Sequence, residues 1–309
     1  MGLLDKLFGK VRKNAEKPES QERNAAGEPE DVQPASEEGG QPDTNHIITV
    51  MLQTAEMAVN VGNYRRAAEI YRSILKIRPN ETAQYNLGSL HAQGKGVNQD
   101  FMEGARWFHQ AELAGNKQAG NLCLKCSNDF IHQNFDRKSP EQLYTDMVQF
   151  VKTVYPEEND VNLSVCRILF GIAGRHFNRQ EYAPAAKLFR AAAEFGNDGY
   201  SQNYLAVLYN LGAGIKQNDL AALYWFDKAV DNGAADVAQV DRDGILNAYR
   251  TNFSAEAFRK EIMMLSGWCS KGSRDVPMDP EKAAYWREIG ESDAKDTAED
   301  AVDKPEEDL

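Results

Sequence analysis

The sequence predicts an all-α protein in which antiparallel helix pairs stack into a solenoid. Three observations predict it. Residues recur at helical spacing in two adjoining stretches: Ala83, Leu87 and His91 in the first, Ala105, Phe108 and Ala111 in the second. Between them lies Gly94-Lys95-Gly96-Val97, where two glycines let the backbone reverse without a Cβ clash. The same pattern then returns 118 residues on, with Gly94 becoming Gly212, Trp107-Phe108 becoming Trp225-Phe226 and Gly115 becoming Gly233. The register holds without a gap from 51–115 onto 169–233, and Ala55, Asn60, Tyr64, Ala67 and Arg72 match Ala173, Asn178, Tyr182, Ala185 and Arg190. The shared positions are mostly apolar, small or turn residues, so the duplication preserves packing, as a structural repeat does.

Composition supports a substantial buried core: of 309 residues, 42% are hydrophobic and 27% charged. The formal charge of -12 is carried by the ends. Residues 14–45 hold nine acids and two bases, 291–309 the same, and 1–13 one acid and four bases. That leaves about -1 for residues 46–290, so net charge points to no nucleic-acid partner. Cys123-x-x-Cys126 has no second pair and no βαβ context, and at i, i+3 on a helix the two read as small buried apolar residues. The four cysteines fit a reducing compartment. No apolar run approaches the roughly 20 residues of a membrane span, and no secretory signal core is present. A cytoplasmic location is therefore expected, with residues 1–13 allowing a position at the inner face of a membrane.

Taken in order, residues 1–13 place Leu3, Leu4, Leu7, Phe8 and Val11 on one helical face beside Lys6, Lys10, Arg12 and Lys13. Such a segment suits an anionic membrane surface or a partner groove, with chance periodicity the alternative. Residues 14–45, rich in Glu, Pro, Gly, Gln and Ser, read as a disordered acidic linker. Residues 46–80 form a first pair, turned by Gly62-Asn63 and stopped by Pro79-Asn80. With Ala55, Ala67, Tyr71, Ile74 and Pro79 at the small, aromatic and proline positions, this pair resembles a tetratricopeptide repeat, although Met51 replaces the first-helix aromatic. Residues 82–115 resemble a Sel1-like repeat through Ala83, Leu87, Gly88, Gly94, Gly96, Val97, Asp100, Trp107, Phe108, Ala111 and Gly115, with His91 in place of its tyrosine.

Helices are then expected over 117–135 and 140–155, where the repeat match is poor. Residues 161–198 again resemble a tetratricopeptide unit, and 201–233 a second Sel1-like unit with Asn218 at the aspartate position. A spacer helix covers 235–252. A divergent third Sel1-like unit covers 255–290 through Leu265, Gly272, Val276, Asp279, Ala283 and Trp286. Residues 291–309 read as a disordered acidic tail. The resemblance implies a right-handed superhelix whose concave face, lined by the first helix of each pair, takes a peptide or helix from a protein partner.

No catalytic constellation accompanies this scaffold, so no enzyme activity, cofactor or metal is expected. His46, His91, His109, His132 and His176 are dispersed, and packing is the better reading for His91 and His176. Gly94-Lys95-Gly96 lacks the spacing of a phosphate loop. Asp241-x-Asp243-Gly244 lacks calcium-loop carboxylates, since Gln239 and Arg250 occupy the key places. The Trp and Phe residues fall on inward positions. No basic cluster within 46–290 stands out. The partner-binding candidates are Leu52 and the recurring amides Asn60, Asn178, Gln84 and Gln202, because an amide side chain offers the peptide backbone both a donor and an acceptor; local capping is the alternative for the Asn pair. The functional expectation is an adaptor holding a partner peptide in the groove. The alternative is a membrane-tethered envelope or secretion-associated assembly factor that works through the N-terminal segment.

Overall fold

The computed structural model describes residues 43–133 and 135–302, with side chains described to residue 292. These residues form thirteen α-helices and no strand. The first four are α1 (Thr44–Asn60), α2 (Tyr64–Ile77), α3 (Glu81–Gln93) and α4 (Phe101–Leu113). Next come α5 (Ala119–His132), α6 (Pro140–Val154), α7 (Val161–Asn178) and α8 (Tyr182–Arg190). The chain continues with α9 (Gly199–Leu211), α10 (Asp219–Ala229), α11 (Ala235–Asn252), α12 (Ala255–Lys271) and α13 (Pro280–Val302). Sequence neighbours pack as antiparallel pairs, α1 with α2, α3 with α4, α7 with α8, α9 with α10 and α12 with α13. The fold is an α-solenoid.

The three glycine-turn pairs are closed by the same local chemistry. Gly94 and Gly212 end α3 and α9 in the left-handed region, at φ 66° and 63°, which glycine adopts without a Cβ penalty. The amides of Lys95 and Ala213 then bond back to the Leu90 and Leu208 carbonyls at 3.0 and 3.1 Å. The position read as aspartate or asparagine is the N-cap of the second helix in each case. Asp100, Asn218 and Asp279 accept from the amides of Glu103, Ala221 and Lys282 at 2.9, 3.1 and 3.1 Å. Their own amides return to His91, Tyr209 and Cys269 carbonyls, so one residue closes both ends of the turn. The first helices of the matched pairs are capped alike, by Asn80 and Asp198.

The second turn glycine has a different task. A Cβ on Gly96 overlaps the backbone of Tyr64 and Arg65, and one on Gly214 overlaps the backbone of Tyr182 and Ala183. Each turn is therefore seated on the start of the second helix of the preceding pair. Within the first copy, Gly88 and Gly104 bring α3 and α4 together, the space for a Gly88 Cβ being filled by the Phe108 ring at 3.0 Å and the Gly104 carbonyl at 3.1 Å. The second copy manages with Ala206 and Ala222.

The Trp-Phe wedges differ between copies for a physical reason. Trp225 and Phe226 are fully buried. The third unit's turn lies over them: Trp225 Nε1 donates to the Asp275 carbonyl at 3.0 Å, and Tyr209 and Asn218 hold the Asp275 carboxylate at 3.1 and 3.0 Å. Among the described residues no turn of that kind covers the first copy, so Phe108 is buried while Trp107 is half-buried, with Arg106 stacked 4.5 Å over its ring.

Several boundaries depart from the sequence reading. Thr44 and Asn45 open α1 rather than close the linker, and α5 is shorter than 117–135 at both ends. The helix α13 runs past residue 290 to Val302, which corrects a tail disordered from 291. Its sequence there, rich in Ala, Glu, Asp and Lys, holds no glycine or proline between Gly290 and Pro305, so helix propensity carries it beyond the packed core. The amphipathic segment 1–13 with Leu3, Leu4, Leu7 and Phe8, the linker up to residue 42 and residues 303–309 lie outside the described residues. Asp241 and Asp243 stand inside α11 rather than in a loop, and no described helix is long and apolar enough to cross a membrane.

All four cysteines are free and buried, as small apolar packing predicts. Burial pushes the thiols up, Cys123 to about 11 and Cys126, Cys166 and Cys269 to about 12. The thiolate is the reactive form, so the native protein should resist a thiol-specific chromogenic reagent at about pH 8 and release all four thiols when denatured. Fast titration of Cys123 or Cys126 in the native state would contradict their placement.

Candidate functional site

Polar side chains converge between α5 and α7, the first helices of consecutive units, around a cavity of about 400 Å³. From α5 come Asn121, Leu124, Lys125, Asn128 and His132, at i, i+3, i+4, i+7 and i+11, which a helix places on one face. From the C-terminal end of α7 come Arg175 and His176, with Arg179 just beyond it. Lys125, Arg175 and Arg179 are exposed, and no carboxylate among the described residues pairs with any of them. Leu124 stands beside them, 52% exposed.

Two histidines join the helices at the floor of this cavity. Their Nε2 atoms are 2.8 Å apart. His132 Nδ1 is 2.7 Å from the Asn128 carbonyl, and His176 Nδ1 is 2.6 Å from the Glu181 carboxylate. A carbonyl or carboxylate oxygen only accepts, so both Nδ1 atoms donate. The two rings thus meet through their Nε2 edges, each anchored from its Nδ1 side. The rings are fixed from behind: Phe135 stacks on His132 at 5.5 Å, and Lys187 of α8 lies 4.5 Å over the Phe135 ring while donating to its carbonyl at 2.5 Å. Burial lowers the Lys187 pKa, against the raising effect of Asp136. No group of His, Cys, Asp and Glu suited to hold a metal occurs among the described residues.

The candidates read from sequence fare unequally. Asn60 and Asn178 are exposed at the ends of α1 and α7, and neither amide is used by a described neighbour. Gln202 is a correction: it is fully buried, donating to the Ala193 carbonyl and Asn197 at 3.1 Å each and accepting from Asn232 at 2.9 Å. Gln84 is buried as well, with its Oε1 unpartnered. Proline and alanine occupy the first-copy positions of Asn197 and Asn232, so the amide network has no counterpart there. Leu52 is half-buried against the first core cluster of Ile48, Ala55, Tyr71 and Leu87, a packing role rather than a groove contact. The absence of a basic cluster is also corrected. Lys125 is 50 residues or more from Arg175 and Arg179 in sequence, and only the fold unites them.

His91 keeps a repeat role. Arg72 reaches its Nε2 at 3.3 Å, as Arg190 reaches Tyr209 at 3.3 Å in the second copy. Burial lowers the His91 pKa, with Glu103 opposing.

A family model, the Sel1 repeat, matches three stretches of the chain, residues 82–116, 199–233 and 263–286. These are the glycine-turn units, and the chain thus carries three Sel1 repeats. Sel1-repeat proteins generally mediate protein–protein interaction. No curated protein matches the chain. Among solved structures, it is similar to a protective antigen of uropathogenic Escherichia coli strains displaying an SLR fold, at 18% identity and TM-score 0.25 over 80% of this chain and 54% of that one. This chain therefore spans about half the length of that relative. It is also similar to a Sel1 repeat protein from Oxalobacter formigenes, at 18% identity and TM-score 0.25 over 87% and 90% of the two chains. A third similarity is to a sel1 repeat protein from Klebsiella pneumoniae subsp. pneumoniae, at 16% identity and TM-score 0.26 over 66% and 96%.

Proposed function

We propose that this chain, a Sel1-repeat protein, is a non-enzymatic scaffold that holds a segment of another protein on the face formed by the first helices of its pairs. The observation that carries the reading is the α5–α7 cavity, whose exposed Lys125, Arg175, Arg179 and Leu124 have no described partner that accounts for them. Packing does not need these side chains, since the core of α5 and α7 is made by Cys123, Cys126, Ile131, Leu169, Ile172 and Ala173 on their other faces. Asn121 and Asn128 supply amides of the kind that bind an extended backbone.

Photo-crosslinking in cells tests the reading. A benzophenone amino acid placed at Leu124 should trap discrete protein adducts, whereas the same group at Lys152, exposed on the second helix α6, should not. Equal adducts at both positions, or none at Leu124, would contradict the assignment of this face.

A further inference from the structure

We infer that the α5–α7 cavity selects an acidic segment, one presenting at least two Asp or Glu carboxylates. The inference rests on the proposed scaffold role and names the chemistry of its partner.

Three side-chain cations, Lys125, Arg175 and Arg179, face one cavity, and no carboxylate is among the described residues that line it. Arg175 and Arg179 are spaced i, i+4 on and just beyond the last turn of α7, a like-charge spacing that a helix disfavours. The helix dipole favours cations at that end, which accounts for part of the arrangement. It does not account for Lys125, which stands midway along α5. A carboxylate pair satisfies all of them, because each Arg presents a planar fork matched to a carboxylate and Lys a point charge. Leu124 gives the apolar contact that a purely ionic site lacks.

A nucleic acid is the less fitting anion. Among the described residues lining the cavity there is no Phe, Tyr or Trp on which a base could stack. The cations gather in one pocket rather than along a stripe. A short peptide feels mainly the charges within about 8 Å, the screening length at physiological salt.

The test uses the full chain and capped fluorescent octapeptides, octaglutamate against octaserine, with an eight-nucleotide oligothymidylate as a second anion. Saturable one-to-one binding of octaglutamate is expected, with none to octaserine, and the Arg175→Gln/Arg179→Gln variant should weaken it at least tenfold. Both arginines are exposed, so an unchanged melting curve should accompany that loss. Absent saturable binding, binding indifferent to the double substitution, or equal binding of the oligothymidylate would each overturn the acidic-segment assignment. Adducts at Leu124 without octaglutamate binding remove only this inference, whereas no adducts at Leu124 removes the scaffold reading beneath it.

Discussion

Replacing Gly214 with alanine is expected to destabilise the protein by about 2–5 kcal/mol, and Gly96→Ala by a similar amount. Two costs combine. An L-residue at φ 73° or 69° costs roughly 1–2 kcal/mol, and forcing a methyl into occupied space costs roughly 1–3 kcal/mol more. The occupied space is backbone, that of Tyr182 and Ala183 or of Tyr64 and Arg65, which cannot swing aside as a side chain does. Gly233 and Gly62 provide the matched controls, since their φ values of 87° and 77° are as unusual but nothing lies within 4 Å of an added Cβ. Alanine there should cost about 1–2 kcal/mol, the conformational part alone. Thermal or denaturant unfolding separates the pairs. Equal losses at Gly214 and Gly233 would mean that the turn does not bear on its neighbour.

The second large effect is expected at the buried ion network joining α10, α11 and α13. Asp227 is 2% exposed and is held by Lys282 and by Arg242 Nη1 at 3.1 Å, while Lys282 also reaches Asp231 at 2.6 Å. Lys282→Met leaves the buried Asp227 carboxylate with Arg242 as its one described cationic partner, and losing the other should cost about 2–3 kcal/mol. The informative variant is the double one. With Asp227→Leu added, the under-compensated carboxylate is gone, Arg242 keeps Asp243 at 2.9 Å, and much of the loss should be recovered. A double variant less stable than Lys282→Met alone would contradict this account.

The pH behaviour of the network follows from the direction of the Lys282 shift. Burial lowers its pKa, but the hydrogen bonds and charges of Asp227 and Asp231 outweigh that and raise it. A raised lysine contributes in full below its unfolded pKa and loses the contribution only as pH rises through the folded one. The Lys282→Met penalty should therefore stay flat from about pH 6 to 9.

The parts legible in the sequence were those fixed by a few neighbouring residues. Gly94, Asp100 and their copies declare turns and caps by local geometry, and the spacer helix over 235–252 follows from its flanking signals. The α5–α7 cavity was illegible for two reasons. It lies where the repeat match is poorest, so no register related Lys125 to Arg175, and a near-neutral body charge conceals a local concentration of cations. His132 and His176, 44 residues apart, meet only because α5 and α7 stand side by side. The buried amides failed for a related reason: Gln84 and Gln202 recur because α3 and α9 recur, and position in a repeat does not say which face of the helix is covered.

The account turns on each glycine turn being seated on the pair before it, and amide hydrogen exchange measures that directly. The first amides of the preceding helices bonded to a backbone carbonyl are Ala67 in α2 and Ala185 in α8, donating to the Asn63 and Glu181 carbonyls at 3.1 and 3.2 Å. Gly96→Ala should accelerate exchange at Ala67, and Gly214→Ala at Ala185, together with the turns themselves. Acceleration confined to the substituted turn, or seen across the boundary in only one of the two copies, would contradict it.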